Sequence, residues 1–161
     1  KVGKIEDLAI SAYKDSFPIV SGIMMRRKFI PWERLTMVNS YFKLKESIQK
    51  DDICPIPYGH LLISRKILDE QLIDRYGKNI GRVDDIKLVY NMDDHILRLA
   101  GLYSGPLSIL VRFGLEGFGN VVPWSCVEKI KTEKPTGIVL NFQKKTEFLN
   151  DKFSLYLRGQ I

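Results

Sequence analysis

Cysteine and histidine are scarce in this chain, with two of each among 161 residues. Cys54 and Cys126 show no CxxC spacing. That excludes a disulfide framework and a cysteine-rich zinc site, and it suits a reducing compartment. Both neighbour hydrophobic residues and Pro or Trp, so both read as buried thiols. His60 precedes an expected strand and His95 follows Asp93-Asp94 in an expected turn. Neither has ligand spacing to a second His or a Cys, so both read as structural or surface residues. No apolar run is long enough to span a bilayer, and no signal-peptide pattern is present. The chain opens with Lys1 rather than Met, which reads as a fragment. A GxSxG elbow and EF-hand spacing are also missing. Gly114–Gly119 is glycine-rich but follows an expected helix instead of opening one, and it reads as a turn, not a phosphate cradle.

What is present is an ordinary globular balance: 45% hydrophobic and 27% charged residues, with a net charge of +6 and a pI near 9.3. The Lys and Arg residues are scattered. Their densest run, Arg26-Arg27-Lys28, falls in an expected hairpin turn and is too short for a basic patch. The excess charge reads first as solubility, with nucleic acid or an anionic membrane surface as the sharper alternatives.

The most informative feature is an internal repeat. Gly3-Lys4-Ile5-Glu6-Asp7-Leu8-Ala9-Ile10 lies over Gly81-Arg82-Val83-Asp84-Asp85-Ile86-Lys87-Leu88, an offset of 78. Ile30-Pro31-Trp32-Glu33-Arg34-Leu35 lies over Val122-Pro123-Trp124-Ser125-Cys126-Val127, an offset of 92. Two blocks matching in the same order specify a duplication far better than either alone. The second copy carries extra residues between its blocks. There Gly105–Gly114 has Pro near its start, Gly at its end and Leu107, Leu110 and Val111 at helical spacing, which predicts a short helical insertion near 105–114.

Ile86, Leu88 and Tyr90 alternate with Lys87 and Val89, and Asn91-Met92-Asp93-Asp94 is turn chemistry before Ile96–Leu102. Asp74-Arg75-Tyr76-Gly77 is another turn. Short strands with frequent turns predict an all-β fold with one or two short helices, arranged as two tandem small β-barrels, because closure removes exposed edges. Pro31 and Pro123 end strand pairing, and Trp32 and Trp124 then read as plugs over the barrel ends. The alternative for each Trp is an exposed ring that stacks a base or ligand. Gly3 and Gly81 read as sites of a bulge or close backbone approach. Asp7 and Asp85 read as acceptors for strand-end backbone rather than metal ligands, since adjacent acids on a strand point to opposite faces. Tyr41-Phe42-Lys43-Leu44-Lys45 reads as a half-buried strand; its aromatic and basic mix is the one local feature suited to nucleic acid.

These residues resemble the PRC-barrel superfamily. The stretch Leu62–Asp74 continuing through Gly77 to Gly81–Ile86 carries the likeness most strongly, with Arg98–Leu102, Val111–Glu116, Val122–Trp124, Gly3–Leu8 and Ile30–Leu35 beside it. The tandem form is similar to the cytosolic region associated with MgtE-type magnesium transporters. The resemblance implies a non-catalytic scaffolding or regulatory interaction domain in the cytoplasm, at the cytosolic face of the inner membrane, with no membrane span of its own. It implies no catalytic, cofactor-binding or metal-binding residue and no cofactor. The expected partner is another domain of such a transporter or a separate protein. A second expectation, by likeness to the ribosome-maturation protein RimM, is an RNA- or ribosome-associated adaptor.

The expected division is a first unit at 1–58 and a second at 59–150. The end of the chain, Phe153–Ile161, laid over Ser64–Leu72, keeps Leu157 on Leu68, Gln160 on Gln71 and Ile161 on Leu72. Residues 153–161 are therefore expected to complete the first barrel, in cis or by strand exchange in a homodimer. An unrelated terminal strand, or a segment order unlike that of the natural chain, are the other readings.

Overall fold

A computed structural model describes residues 3–11, 17–38, 41–47, 54–105, 120–144, 147, 149 and 154–157. The first copy runs β1 (Asp7–Ser11), β2 (Ile19–Met25), β3 (Lys28–Pro31), a 3-10 turn at Trp32–Arg34, β4 (Leu35–Val38) and β5 (Tyr41–Leu44). β6 (Leu61–Leu62) and the one-turn helix α1 (Ile63–Lys66) follow. Then come β7 (Gln71–Ile73), β8 (Asn79–Arg82), β9 (Asp85–Asn91), β10 (Ile96–Tyr103), β11 (Val121–Pro123), a second 3-10 turn at Trp124–Cys126, β12 (Val127–Lys131), β13 (Gly137–Leu140) and β14 (Ser154–Tyr156). The expected helical insertion lies almost wholly outside the described residues.

The turns form where side chains substitute for backbone partners. Asn91 Oδ1 accepts from the Asp93 N–H at 2.8 Å, and Asp94 Oδ1 accepts from the Ile96 N–H at 3.0 Å, which folds the chain from β9 into β10. Asp74 Oδ1 accepts from the N–H groups of Tyr76 and Lys78, and Gly77 supplies the positive φ of 85° that closes the β7–β8 turn.

The repeat extends to register. β1 pairs antiparallel with β2 through Asp7↔Met24, Leu8↔Ile23 and Ala9↔Gly22, then slips to Ile10↔Val20 and Ser11↔Ile19. β9 pairs with β10 through Asp85↔Tyr103, Ile86↔Leu102 and Lys87↔Gly101, then slips to Leu88↔Leu99 and Val89↔Arg98. The bulged residues, Ser21 and Ala100, thus sit at the same place in the two hairpins. A bulge adds local twist and curls both sheets alike. Next, Gly22 faces Pro31 on β3 and Gly101 faces Pro123 on β11. β4 then pairs with β5, and β12 with β13.

The two copies join in one sheet, ordered β14-β9-β10-β2-β1-β6, with β11 on β10 and β3 on β2. That order is palindromic, because β9, β10 and β14 are the counterparts of β1, β2 and β6. β6 pairs with β1 through Ala9↔Leu62 and Ile10↔Leu61. β14 pairs with β9 through Tyr156↔Lys87 and Leu155↔Leu88. Leu157 is therefore the structural counterpart of Ile63, and both are fully buried. β14 adds to the second copy, while the edge of β1 is taken by Leu61–Leu62. The strand Ser154–Tyr156 therefore lies on the second copy, and the rest of the segment expected to complete the first, residues 153 and 158–161, lies outside the described residues.

Two features differ from a pair of separate barrels. The eight-stranded, four-stranded (β12-β13-β7-β8) and two-stranded (β4-β5) sheets do not close into a barrel among the described residues. The main core is also continuous: Leu8, Ile10 and Ile23 belong to the same buried cluster as Ile86, Leu88, Leu102, Ile138 and Leu140. Copies this small bury too little apolar surface alone, and each fully buried Leu or Ile in the shared core contributes roughly 1.5–3 kcal/mol.

Candidate functional site

The paired motif positions are the natural place to look for chemistry. Asp7 is 4% exposed, and its Oδ1 accepts from the N–H groups of Leu8 and Ser64, both at 2.8 Å. The second bond reaches across from β1 to the first turn of α1, so one carboxylate holds the end of the first copy against its opening strand. Asp85 Oδ1 accepts from the Ile86 N–H at 2.8 Å in the same way that Asp7 serves Leu8. A carboxylate engaged by backbone N–H groups is anchored as a structural acceptor. The neighbouring Asp84 accepts from the Gly105 N–H.

The two tryptophans share a backbone setting and differ in surroundings. Pro31 and Pro123 each precede a 3-10 turn, with φ −59° in both. Trp124 is 3% exposed and belongs to the core. Trp32 is half-buried; it meets Phe42 and Tyr90 edge-on, and its Nε1–H donates to the His95 carbonyl at 2.8 Å. Tyr90 and His95 belong to the second copy, so Trp32 ties the two copies together.

An added Cβ on Gly3 would meet Met25 Sδ at 2.9 Å, and one on Gly81 would meet Ser104 Oγ at 2.8 Å, so both glycines lie against side chains rather than against another stretch of backbone. A second glycine pair, Gly22 and Gly101, escapes a reading of the sequence. A Cβ on Gly22 would collide with the Ile30 carbonyl and the Phe29 ring, and one on Gly101 would lie 2.7 Å from the Val122 carbonyl oxygen. Each lets the following strand cross tightly at Pro31 or Pro123. The available signal was Gly followed by two apolar residues in each copy, at an offset of 79, close to the 78 of the first block.

The histidines are engaged rather than poised. His60 Nδ1 lies 2.9 Å from the hydroxyl of Ser21, the bulged residue, and His95 Nδ1 lies 2.9 Å from the Tyr90 hydroxyl. Cys126 is buried, as its neighbours suggested. Cys54 is exposed, contrary to expectation: it forms a single bridge to Phe29 at a sheet margin, where Pro55 follows and extended pairing cannot continue. Among the described residues no group of three His, Cys, Asp or Glu side chains could hold a metal ion. No described helix is long and apolar enough to cross a membrane.

No family model matches the chain, and no curated protein matches it. Arg26, Arg27 and Lys28 are exposed at the β2–β3 turn, and Arg27 N–H donates to Glu6. Among the described residues the large exposed apolar side chains are Val38, Tyr41, Tyr58, Tyr76 and Met92. Val38 and Tyr41 face each other in the β4–β5 hairpin and form one apolar spot. Tyr41 and Lys43 point outward, while Phe42 packs against Trp32, so this strand is half-buried as expected.

Proposed function

We propose that the chain is a non-catalytic interaction module of the tandem PRC-barrel kind, acting in the cytosol as a scaffolding or regulatory part of, or partner to, an MgtE-type magnesium transporter. The observation that carries this reading is where the repeated motif residues are spent. The Asp7 and Asp85 carboxylates accept from backbone N–H groups, and the two Pro-Trp turns close on the core or on the other copy. A duplicated unit whose most distinctive side chains all serve its own architecture suits a protein that works by contact.

The exposed Arg26-Arg27-Lys28 turn and the net charge of +6 favour one other reading, an RNA- or ribosome-associated adaptor. Binding of the labelled chain should be measured against a purified MgtE-type cytosolic region and against generic single-stranded RNA, each at low and high salt. The transporter reading expects saturable binding to the first and little to RNA. RNA binding that falls by orders of magnitude as salt rises would overturn it in favour of the adaptor. Sequence flanking this chain in its gene gives an independent check: a helical domain, a CBS pair and membrane spans are expected downstream.

A further inference from the structure

The β4–β5 hairpin has two faces of opposite character. Leu35, Met37, Phe42 and Leu44 turn inward onto the main core, where Phe42 meets the Trp32 ring. Alternation places their neighbours on the other face. There Val38 stands opposite Tyr41 and Thr36 opposite Lys43, and the Lys45 N–H continues the ladder by donating to the Arg34 carbonyl at 2.9 Å. Tyr41 is 76% exposed and Val38 47% exposed, and Lys43, Lys45 and Arg34 are exposed as well. An apolar pair thus stands at one end of the face, with the cations lined up behind it. Glu46 lies 3.5 Å from Arg34, and Glu33 sits on the preceding 3-10 turn, which still leaves the hairpin net positive.

The repeat separates what the fold needs from what this hairpin adds. β5 and β13 are counterparts, since Leu44 pairs with Leu35 as Leu140 pairs with Val127, one residue past each 3-10 turn. The inward residues Phe42 and Leu44 therefore match Ile138 and Leu140, apolar in both copies. The outward residues Tyr41 and Lys43 match Gly137 and Val139, which are buried. An exposed ring beside an exposed ammonium is particular to the first copy, and the architecture alone does not call for it.

We propose that this face is a contact for an anionic lipid bilayer, with Tyr41 and Val38 entering the interface and Lys43, Lys45 and Arg34 meeting lipid phosphates. A tyrosine has an apolar body and a polar tip, which suits headgroup depth. Cations beside an apolar patch add attraction to a negatively charged leaflet. The packed inner face holds the outer one in place, so little order is lost on contact. The arrangement fits lipid better than single-stranded RNA. Stacking along a strand uses successive exposed rings, whereas among the described residues Tyr41 is the one aromatic on this face and Phe42 is turned onto Trp32. This inference goes beyond the role proposed above and does not rest on it. A chain that binds vesicles but no transporter region keeps the one and loses the other.

Co-sedimentation of the full chain with vesicles tests it, using phosphatidylcholine alone and an equal mixture of phosphatidylcholine and phosphatidylglycerol. Binding to the mixed vesicles that falls as salt rises is expected, with little binding to the neutral ones. Lys43→Gln and Lys45→Gln should each weaken it about fivefold. Tyr41→Ser should weaken it while leaving its salt dependence unchanged. Lys129→Gln removes an exposed charge from the counterpart hairpin and should leave binding as it was. All four side chains are exposed, so the variants should fold, which circular dichroism checks. Absence of binding to the mixed vesicles would overturn the proposal. Equal losses for Lys129→Gln and Lys43→Gln would also overturn it, because they would mark attraction by diffuse charge. Binding of oligouridine that Tyr41→Ser abolishes, with none to vesicles, would give the face to RNA instead.

Discussion

Ile19 on β2 lies directly opposite Arg98 on β10, and the two are each other's counterparts in the repeat: Ile19 pairs with Ser11 in one hairpin as Arg98 pairs with Val89 in the other. A residue facing its own equivalent marks a pseudo-two-fold axis. The Leu99 N–H donates to the Pro18 carbonyl at 2.8 Å beside it. The duplication is therefore a symmetric pair grown through one sheet, and the shared core follows from that junction.

Gly22→Ala and Gly101→Ala should both destabilise the protein, by about 2–3 kcal/mol each, because the new methyl group meets backbone that cannot move aside. Urea unfolding measures this. A loss below about 0.5 kcal/mol at either site would mean the strand crossing is looser than described.

Asp7→Ala leaves the buried N–H of Leu8 and the partly buried N–H of Ser64 without their acceptor. The expected loss is about 2–4 kcal/mol, with less for Asp7→Asn, which keeps an acceptor oxygen. Hydrogen exchange at the Ser64 amide should rise in both variants, and calorimetry gives the stability.

Trp124→Ala should cost about 3–5 kcal/mol, as expected for a core ring. Trp32→Phe keeps most of the packing on Phe42 and Tyr90 and loses the bond to the His95 carbonyl, a cost of about 1 kcal/mol. Equal losses for the two would contradict the different roles assigned to them.

The hydrogen bond from Arg98 to Asp94 holds the Asp94 carboxyl below its ordinary value of 3.8. A depressed value in the folded state favours folding above the ordinary pKa, and that contribution is lost as pH falls through the folded value. NMR titration of the Asp94 carboxyl should give a midpoint below 3.8, and Arg98→Gln should raise it.

The parts of this fold legible in the sequence were those carried by distinctive residues. The Gly3/Gly81 and Trp32/Trp124 blocks located the repeat, and Asn91–Asp94 and Asp74–Gly77 located turns, because each needs particular side chains. The Gly22/Gly101 match was hidden because its neighbours, Ser21-Ile23 and Ala100-Leu102, share only size and polarity trends. β6 is two residues and β14 three, too short for any periodicity, and their pairing consists of backbone hydrogen bonds that no side chain announces. Identity alone placed Leu157 on Leu68, whereas strand register places it on Ile63. The same limit applies to burial: Cys54 and Cys126 have similar neighbours, and only tertiary pairing separates the exposed thiol from the buried one.

The symmetric junction is tested most directly by backbone NOEs in solution. The account expects cross-strand contacts between Ile19 and Arg98 and between Leu155 and Leu88 in the same spectrum. Contacts from Leu155 to Ile10 on β1, with none between Ile19 and Arg98, would contradict it.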